Sequence, residues 1–291
     1  MRTLKLLSFL TLFIFVNISL AQDLMEKVKK ILTESKAEVA VAFYDFTTNK
    51  SILINENIVF HAASTMKTPV MLEVFRQAEQ GFFSLDDSIV IKNSFCSIVD
   101  SSEYSMNITD DSDGDLYKLI GNKTTIYDLV FKMITESSNL ATNLLIDLIK
   151  PSNIMTTLKN YGINGVNVLR GVEDQLAYEQ GLNNTVTAFG LMTMCKKMAK
   201  KELVSEKASN EMINILTNQK HRSMIPALLP EGTITATKSG SITGIRHDSG
   251  IIFMPDGRKY VMVFLSKNVV DIQQTNNLCA RIAKLLTTNQ E

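Results

Sequence analysis

Ser64-Thr65-Met66-Lys67 sets a hydroxyl and an amine three residues apart, just before the apolar run Val70-Met71-Leu72 and Val74-Phe75. In a helix that spacing puts Ser64 and Lys67 on one face, one turn apart. Ser64 then falls at the helix N-terminus, where free N–H groups and the dipole favour developing negative charge. A serine hydroxyl is a weak nucleophile at neutral pH, and a neighbouring amine that accepts its proton activates it. The S-x-x-K element alone arises often by chance. Here two further polar elements follow it in order: Ser137-Ser138-Asn139, and Lys238-Ser239-Gly240 near the C-terminus. Ser64 with Lys67 would suit nucleophilic serine chemistry with a lysine as base.

Three segments so far apart need a scaffold that gathers them. Apolar residues at helical spacing, Met25, Val28, Ile31 and Leu32, predict an amphipathic helix over 25–35. Residues 39–45 and 51–54 read as a β-hairpin around Thr47-Thr48-Asn49. A helix-rich middle follows. Residues 65–80 form the helix behind Ser64, and 125–136 a second helix, with Thr125 and Asp128 as a capping-box-like start. Helices are also predicted over 140–149, stopped by Pro151, and over 154–161, 188–199 and 206–217. Strand patterns return at 233–239, 247–253 and 260–265, with Pro255-Asp256-Gly257 as the turn between the last two. Residues 275–286 read as a closing helix. Strands at both ends with helices between predict an α+β chain. One mixed domain would come from residues 22–64 and 218–291, with an all-helical insertion over 65–217.

Composition narrows the function classes. The chain has 291 residues, 45% hydrophobic and 21% charged, with formal net charge zero. With no basic excess and no Trp, nucleic acid is not an expected partner. Residues 1–21 read as a secretory signal peptide: Arg2 and Lys5 precede an apolar 6–18 stretch, and Ser19-Leu20-Ala21 resembles a cleavage site. The apolar stretch is short for a membrane span, so no stable membrane insertion is expected after cleavage. A periplasmic or secreted monomer is the expectation. Cys96, Cys195 and Cys279 are odd in number and suggest neither a disulfide framework nor a metal motif; separate buried or semi-buried thiols are expected. His61, His221 and His247 are too scattered for a zinc motif, so no metal or cofactor is expected.

The three elements resemble the S-x-x-K, S-D-N and K-T-G series of class A β-lactamases and penicillin-binding serine hydrolases. The resemblance covers almost all of the mature chain. It implies a five-stranded antiparallel sheet flanked by the terminal helices, beside a helical domain, with the active site in the cleft between. It also implies roles. Ser64 is the nucleophile and Lys67 its base or proton relay. Ser137 delivers a proton to the leaving nitrogen, and Asn139 hydrogen-bonds substrate and Lys67. Asn143 ties down the loop that bears the deacylating acid. Ser138 stands where the family has aspartate, and Ser239 replaces threonine while keeping the hydroxyl. Lys238 supplies positive charge for a substrate carboxylate and for Ser137. Gly240 lets substrate lie close along its strand. The N–H groups of Ser64 and Ser241 form the oxyanion hole. Arg246 is either a carboxylate fork or a surface arginine.

Two glutamates compete for the deacylating role. Glu173 follows Arg170 at nearly the family distance, within Arg170-Gly171-Val172-Glu173-Asp174. Glu179 gives the literal E-x-x-L-N with Leu182 and Asn183, but lies close to the next helix. Glu173 is preferred. The 110–115 stretch lacks the glycine and closing glutamate of a calcium loop and reads as a solvated acidic loop. The expected partner is a small molecule, a β-lactam or a cell-wall peptide. The leading expectation is a serine β-lactamase. The rivals are a D,D-peptidase, transpeptidase or esterase with little lactam turnover, and a non-catalytic cell-wall-binding module.

Overall fold

The computed structural model describes residues 22–288; the signal peptide read over 1–21 lies outside the described residues. In chain order the main elements are α1 (22–32), β1 (Glu38–Asp45), β2 (Ser51–Ile54), α2 (Lys67–Glu79), α3 (Ile126–Thr135), α4 (Asn139–Ile149), α5 (Pro151–Asn160), α6 (Ala188–Ala199) and α7 (Glu206–Thr217). They end with β3 (Ile234–Ile242), β4 (Ile245–Phe253), β5 (Lys259–Lys267) and α8 (Ile272–Thr288). The five strands form one antiparallel sheet in the order β3-β4-β5-β1-β2.

Period-two alternation divides that sheet between two cores. On β1, Val39, Val41 and Phe43 join Leu278, Ile282 and Leu286 of α8 and Leu24 and Val28 of α1. Ala40, Ala42 and Tyr44 face the other way, into the larger core with α2, α3, α4 and α6. Both faces are covered, which is why β1 and β5 read as nearly unbroken apolar runs. The β1–β2 turn is held by Asp45, whose carboxylate accepts Thr47 N–H at 2.7 Å and Thr48 Oγ1–H at 2.8 Å. Asn49 takes the positive φ of 58° that this turn needs.

Helix α2 is the axle of the helical part. From Lys67 to Phe75 every residue is buried, with α4, α5 and α3 packed around it. Thr125, Thr187 and Ser205 cap α3, α6 and α7 through their side-chain oxygens. Pro151 occupies the first turn of α5, where a missing N–H costs nothing.

Three expectations change. The helix behind Ser64 does not begin at 65: residues Ala63–Met66 form a 3-10 turn, and the α-helix starts at Lys67. Cys96 is exposed rather than buried or semi-buried, on a two-residue strand with little structure to cover it; Cys195 and Cys279 are buried, and all three are free. The 110–115 stretch is not simply solvated. Asp113 is buried and pairs with Lys132 at 3.1 Å, and Asp111 docks on the start of α4. Short strand pairs at 88–90 with 123–125, 95–96 with 103–104, and 60–61 with 185–186 carry no readable period.

Candidate active site

Ser64 sits in the 3-10 turn between the sheet and the helical part. A 3-10 turn has three residues per turn, so Ser64 and Lys67 stand one directly above the other. Thr65 Oγ1 donates to Ala62 O at 2.6 Å and tightens the turn. Ala63, just before Ser64, is held at φ 44°, a left-handed backbone that a non-glycine residue rarely adopts. Strand β3 presses edge-on against this turn. A Cβ on Gly240 would lie 3.1 Å from the backbone nitrogens of both Ser64 and Thr65. Only glycine allows that approach without displacing the turn.

Lys67 is fully buried and makes three hydrogen bonds through Nζ: to Ser137 O at 2.7 Å, Ser137 Oγ at 3.2 Å and Asn139 Oδ1 at 2.7 Å. Burial drives its pKa down to about 7, although the carboxylates of Asp111 and Glu173 pull the other way. Lys238, also fully buried, donates to Ser137 Oγ at 3.1 Å and to Ser239 O at 2.9 Å. Burial, then the nearby Lys67 charge, hold Lys238 well below the ordinary lysine value. The Ser137 hydroxyl is therefore gripped by two amines on separate elements. Its backbone has a positive φ of 63°, which turns it back toward Lys67 as α4 begins.

Asn139 links this group to the facing loop: its Nδ2 donates to Glu173 Oε1 at 2.7 Å. Burial raises the Glu173 pKa; the Asn139 bond opposes this, and Asp111 and Asp110 reinforce it. Glu179 lies elsewhere, exposed and bonded to Gln175 Nε2 at 3.0 Å. Asn143 fixes the loop, accepting Val172 N–H at 2.7 Å and donating to Val172 O at 3.0 Å. Arg170 closes its base, donating to Leu182 O at 2.8 Å and to Asn183 Oδ1 at 3.0 Å.

Gly171 is the tight point of that loop, since a Cβ there would sit 2.4 Å from Asn143 Oδ1. Gly171→Ala is expected to cost about 1–3 kcal/mol by forcing the loop off Asn143. A denaturant midpoint measures that cost, and an unchanged midpoint would mean the loop yields freely.

Ser64 lies where two hollows meet. One, of about 310 Å³, is walled by Glu173, Val172, Tyr178, His61, Asn139 and Ile242. The other, of about 180 Å³, holds Ser137, Ser239, Gly240, Ser241, Arg246 and His221. Arg246 is half-buried and donates to Ser241 Oγ at 2.6 Å, directly opposite it in the β3–β4 register. The second hollow thus sets serine hydroxyls beside the Arg246 guanidinium, a chemistry suited to a carboxylate, with Asp110 also on its wall.

Sequence reasoning passed over two groups in the site. Asp111 accepts Asn139 N–H at 2.9 Å and Leu140 N–H at 2.8 Å, covering the first amides of α4. Ser138 covers the next amide of the same turn, Ala141 N–H, at 3.2 Å, so the aspartate absent at 138 is answered by one from 27 residues upstream. His61 is the other, placed beside Ser64 by a two-residue strand. Neither carries a spacing signal.

The chain is similar to known proteins over nearly all of its length. The beta-lactamase enzyme family matches residues 23–290. The extended-spectrum beta-lactamase PER-1 of Pseudomonas aeruginosa is 24% identical, over 90% of this chain and 85% of that protein. The crystal structure of a beta-lactamase from Sphaerobacter thermophilus superposes with TM-score 0.75 at 24% identity, over 92% of this chain and 95% of that one. The structure described as PBP-A superposes with TM-score 0.77 at 20% identity, over 91% and 94%. The chain belongs to the beta-lactamase enzyme family and is an enzyme of the serine β-lactamase type.

Proposed function

We propose that this protein hydrolyses the β-lactam amide through an acyl-enzyme on Ser64. The observation that carries the reading is the convergence of Lys67 and Lys238 on Ser137 Oγ, at 3.2 and 3.1 Å, beside a serine that Glu173 also faces. Neutral Lys67 takes the Ser64 proton as Oγ attacks the lactam carbonyl. The N–H groups of Ser64 and Ser241 receive the oxyanion. The C–N bond breaks, and Ser137 protonates the departing nitrogen while Lys67 returns a proton to Ser137. Glu173 then takes a proton from water, the hydroxide attacks the ester carbonyl, the bond from that carbon to Ser64 Oγ breaks, and the proton held by Glu173 passes to Ser64 Oγ. Ser239 and Arg246 face the substrate carboxylate, Lys238 acts behind them through Ser137 Oγ, and Gly240 keeps the strand edge open.

The leader read in the sequence supports a periplasmic or secreted location, and among the described residues no helix is long and apolar enough to cross a membrane. Turnover of a chromogenic cephalosporin by the mature protein tests the function. Accumulated acyl-enzyme without product would favour the penicillin-binding or peptidase reading instead.

The pH dependence follows from Lys67. The base works only unprotonated, and its pKa is lowered to about 7. Acylation is therefore expected to rise about tenfold per pH unit up to that value and then level off. Lys67→Ala is expected to slow acylation by about 10²–10⁴ and to erase that limb. Stopped-flow acylation from pH 5 to 9 reads both effects; a wild-type rate in the variant would remove Lys67 from the mechanism.

A further inference from the structure

We propose that His61 is a positioning residue for acylation: its imidazole Nδ1, accepting the Ala63 N–H, locks the turn that aims Ser64. The inference rests on Ser64 being the nucleophile. The Ala63 N–H to His61 Nδ1 distance is 3.0 Å. This bond secures the one residue of the turn whose backbone is left-handed, immediately before Ser64. The other side of His61 is anchored too. Its carbonyl oxygen accepts from Nε2 of the buried His247 at 2.9 Å. His247 Nδ1 meets both Ser266 N–H at 3.1 Å and Arg246 O at 2.9 Å, while its Nε2 faces the His61 carbonyl, which can only accept. In the sheet His247 stands opposite Gly240, the residue pressed against the Ser64 backbone. Two histidines thus tie the strand beside the oxyanion hole to the nucleophile turn, through His61 O on one side and His61 Nδ1 on the other.

The clamp needs neutral imidazole, because a protonated ring has no lone pair at Nδ1. The groups facing His61 do not all act one way: burial and Arg170 favour the neutral ring, whereas carboxylates favour the charged one. Burial and the Arg170 cation lower its pKa, and Tyr178 sets its ring edge-to-face at 6.2 Å. Glu173 and Asp174 share the pocket wall, His247 lies behind the carbonyl with a pKa near 4, and Lys267 reaches over the adjacent Phe60 ring. His61 itself lines the hollow beside Ser64. It holds the turn and takes no proton from substrate.

Stopped-flow acylation by a chromogenic cephalosporin tests this on wild type, His61→Phe and His61→Asn. An Asn side-chain oxygen can take the place of Nδ1 as acceptor and does not titrate. His61→Phe is expected to slow acylation roughly ten- to a hundredfold, as a displaced reacting group does, with deacylation unchanged. His61→Asn is expected to restore most of the rate. Below the His61 pKa the wild-type acid limb should steepen from one proton to two, while that of His61→Asn stays at one. Equal rates in wild type and His61→Phe, or an Asn variant as slow as Phe, would overturn the role. Should His61→Phe fail to fold, the slope of the Asn limb decides alone. A wild type that no lactam acylates would overturn the nucleophile reading along with this one; normal wild-type acylation beside an unaffected His61→Phe overturns this one only.

Discussion

Mixed with a penicillin, Ser64→Ala protein is expected to gain no mass, while wild type gains that of the intact drug during turnover. The acyl bond has one proposed acceptor, and alanine removes it. The variant should fold normally. The Ser64 hydroxyl does not cap the 3-10 turn, whose preceding residue is Ala62, and the turn is held instead by Thr65 Oγ1 on Ala62 O. Loss of a half-exposed hydroxyl with no capping bond changes stability by about 0.5 kcal/mol or less. Intact-mass spectrometry on variant and wild type, with a melting curve for each, reads the result. An adduct on folded Ser64→Ala would assign the nucleophile elsewhere.

Glu173→Gln is expected to trap the acyl-enzyme, with deacylation slowed by about 10²–10⁴, while Glu179→Gln turns over as wild type does. The substitution is a clean one. Glutamine keeps an oxygen to accept the Asn139 Nδ2–H bond, now 2.7 Å, so the network stands while the base is lost. Glu179 makes its bond to Gln175 on the outer face of the short 175–179 helix and has no link to Ser137 or Lys67. The pH profile adds a second check. Burial raises the Glu173 pKa, so wild-type deacylation should fail at a higher pH than an ordinary carboxylate would dictate as acid is added. Mass spectra that show the adduct persisting in Glu179→Gln, and clearing in Glu173→Gln, would reverse the two assignments.

The polar elements around Ser64 were legible because their chemistry restricts residue type and spacing together. A hydroxyl and an amine three apart are common alone, but the serine element at 137–139 and the Lys238 element narrow the reading, and both lysines meet on the Ser137 hydroxyl. The strands were legible for another reason: β1 and β5 are buried on both faces, so their apolar runs are long. What escaped was whatever depends on one chain segment serving another. Asp111 looks like a member of an acidic surface loop until α4 is placed above it, when its carboxylate becomes the acceptor for Asn139 and Leu140 amides. The 3-10 turn at Ala63–Met66 shares its first apolar positions with the helix that follows, and a four-residue element is shorter than any period that would reveal it. His61 is a lone histidine on a two-residue strand, and only its bond to Ala63 N–H sets it apart.

Strand β1 lies between β2 and β5, so one of its two neighbours is formed about 215 residues later in the chain, as Asp45 opposite Tyr260 makes plain. A ribosome delivers the N-terminal residues first, and β1 must wait with one edge unpaired until nearly the whole polypeptide has emerged. Lys238 arrives in the same late stretch. Sheet closure and the two-lysine grip on Ser137 both wait on this last third of the chain, and pairing across such distances is slow. A chain cut short before β5 leaves that edge open to other strands, the template for aggregation that an unpaired edge provides.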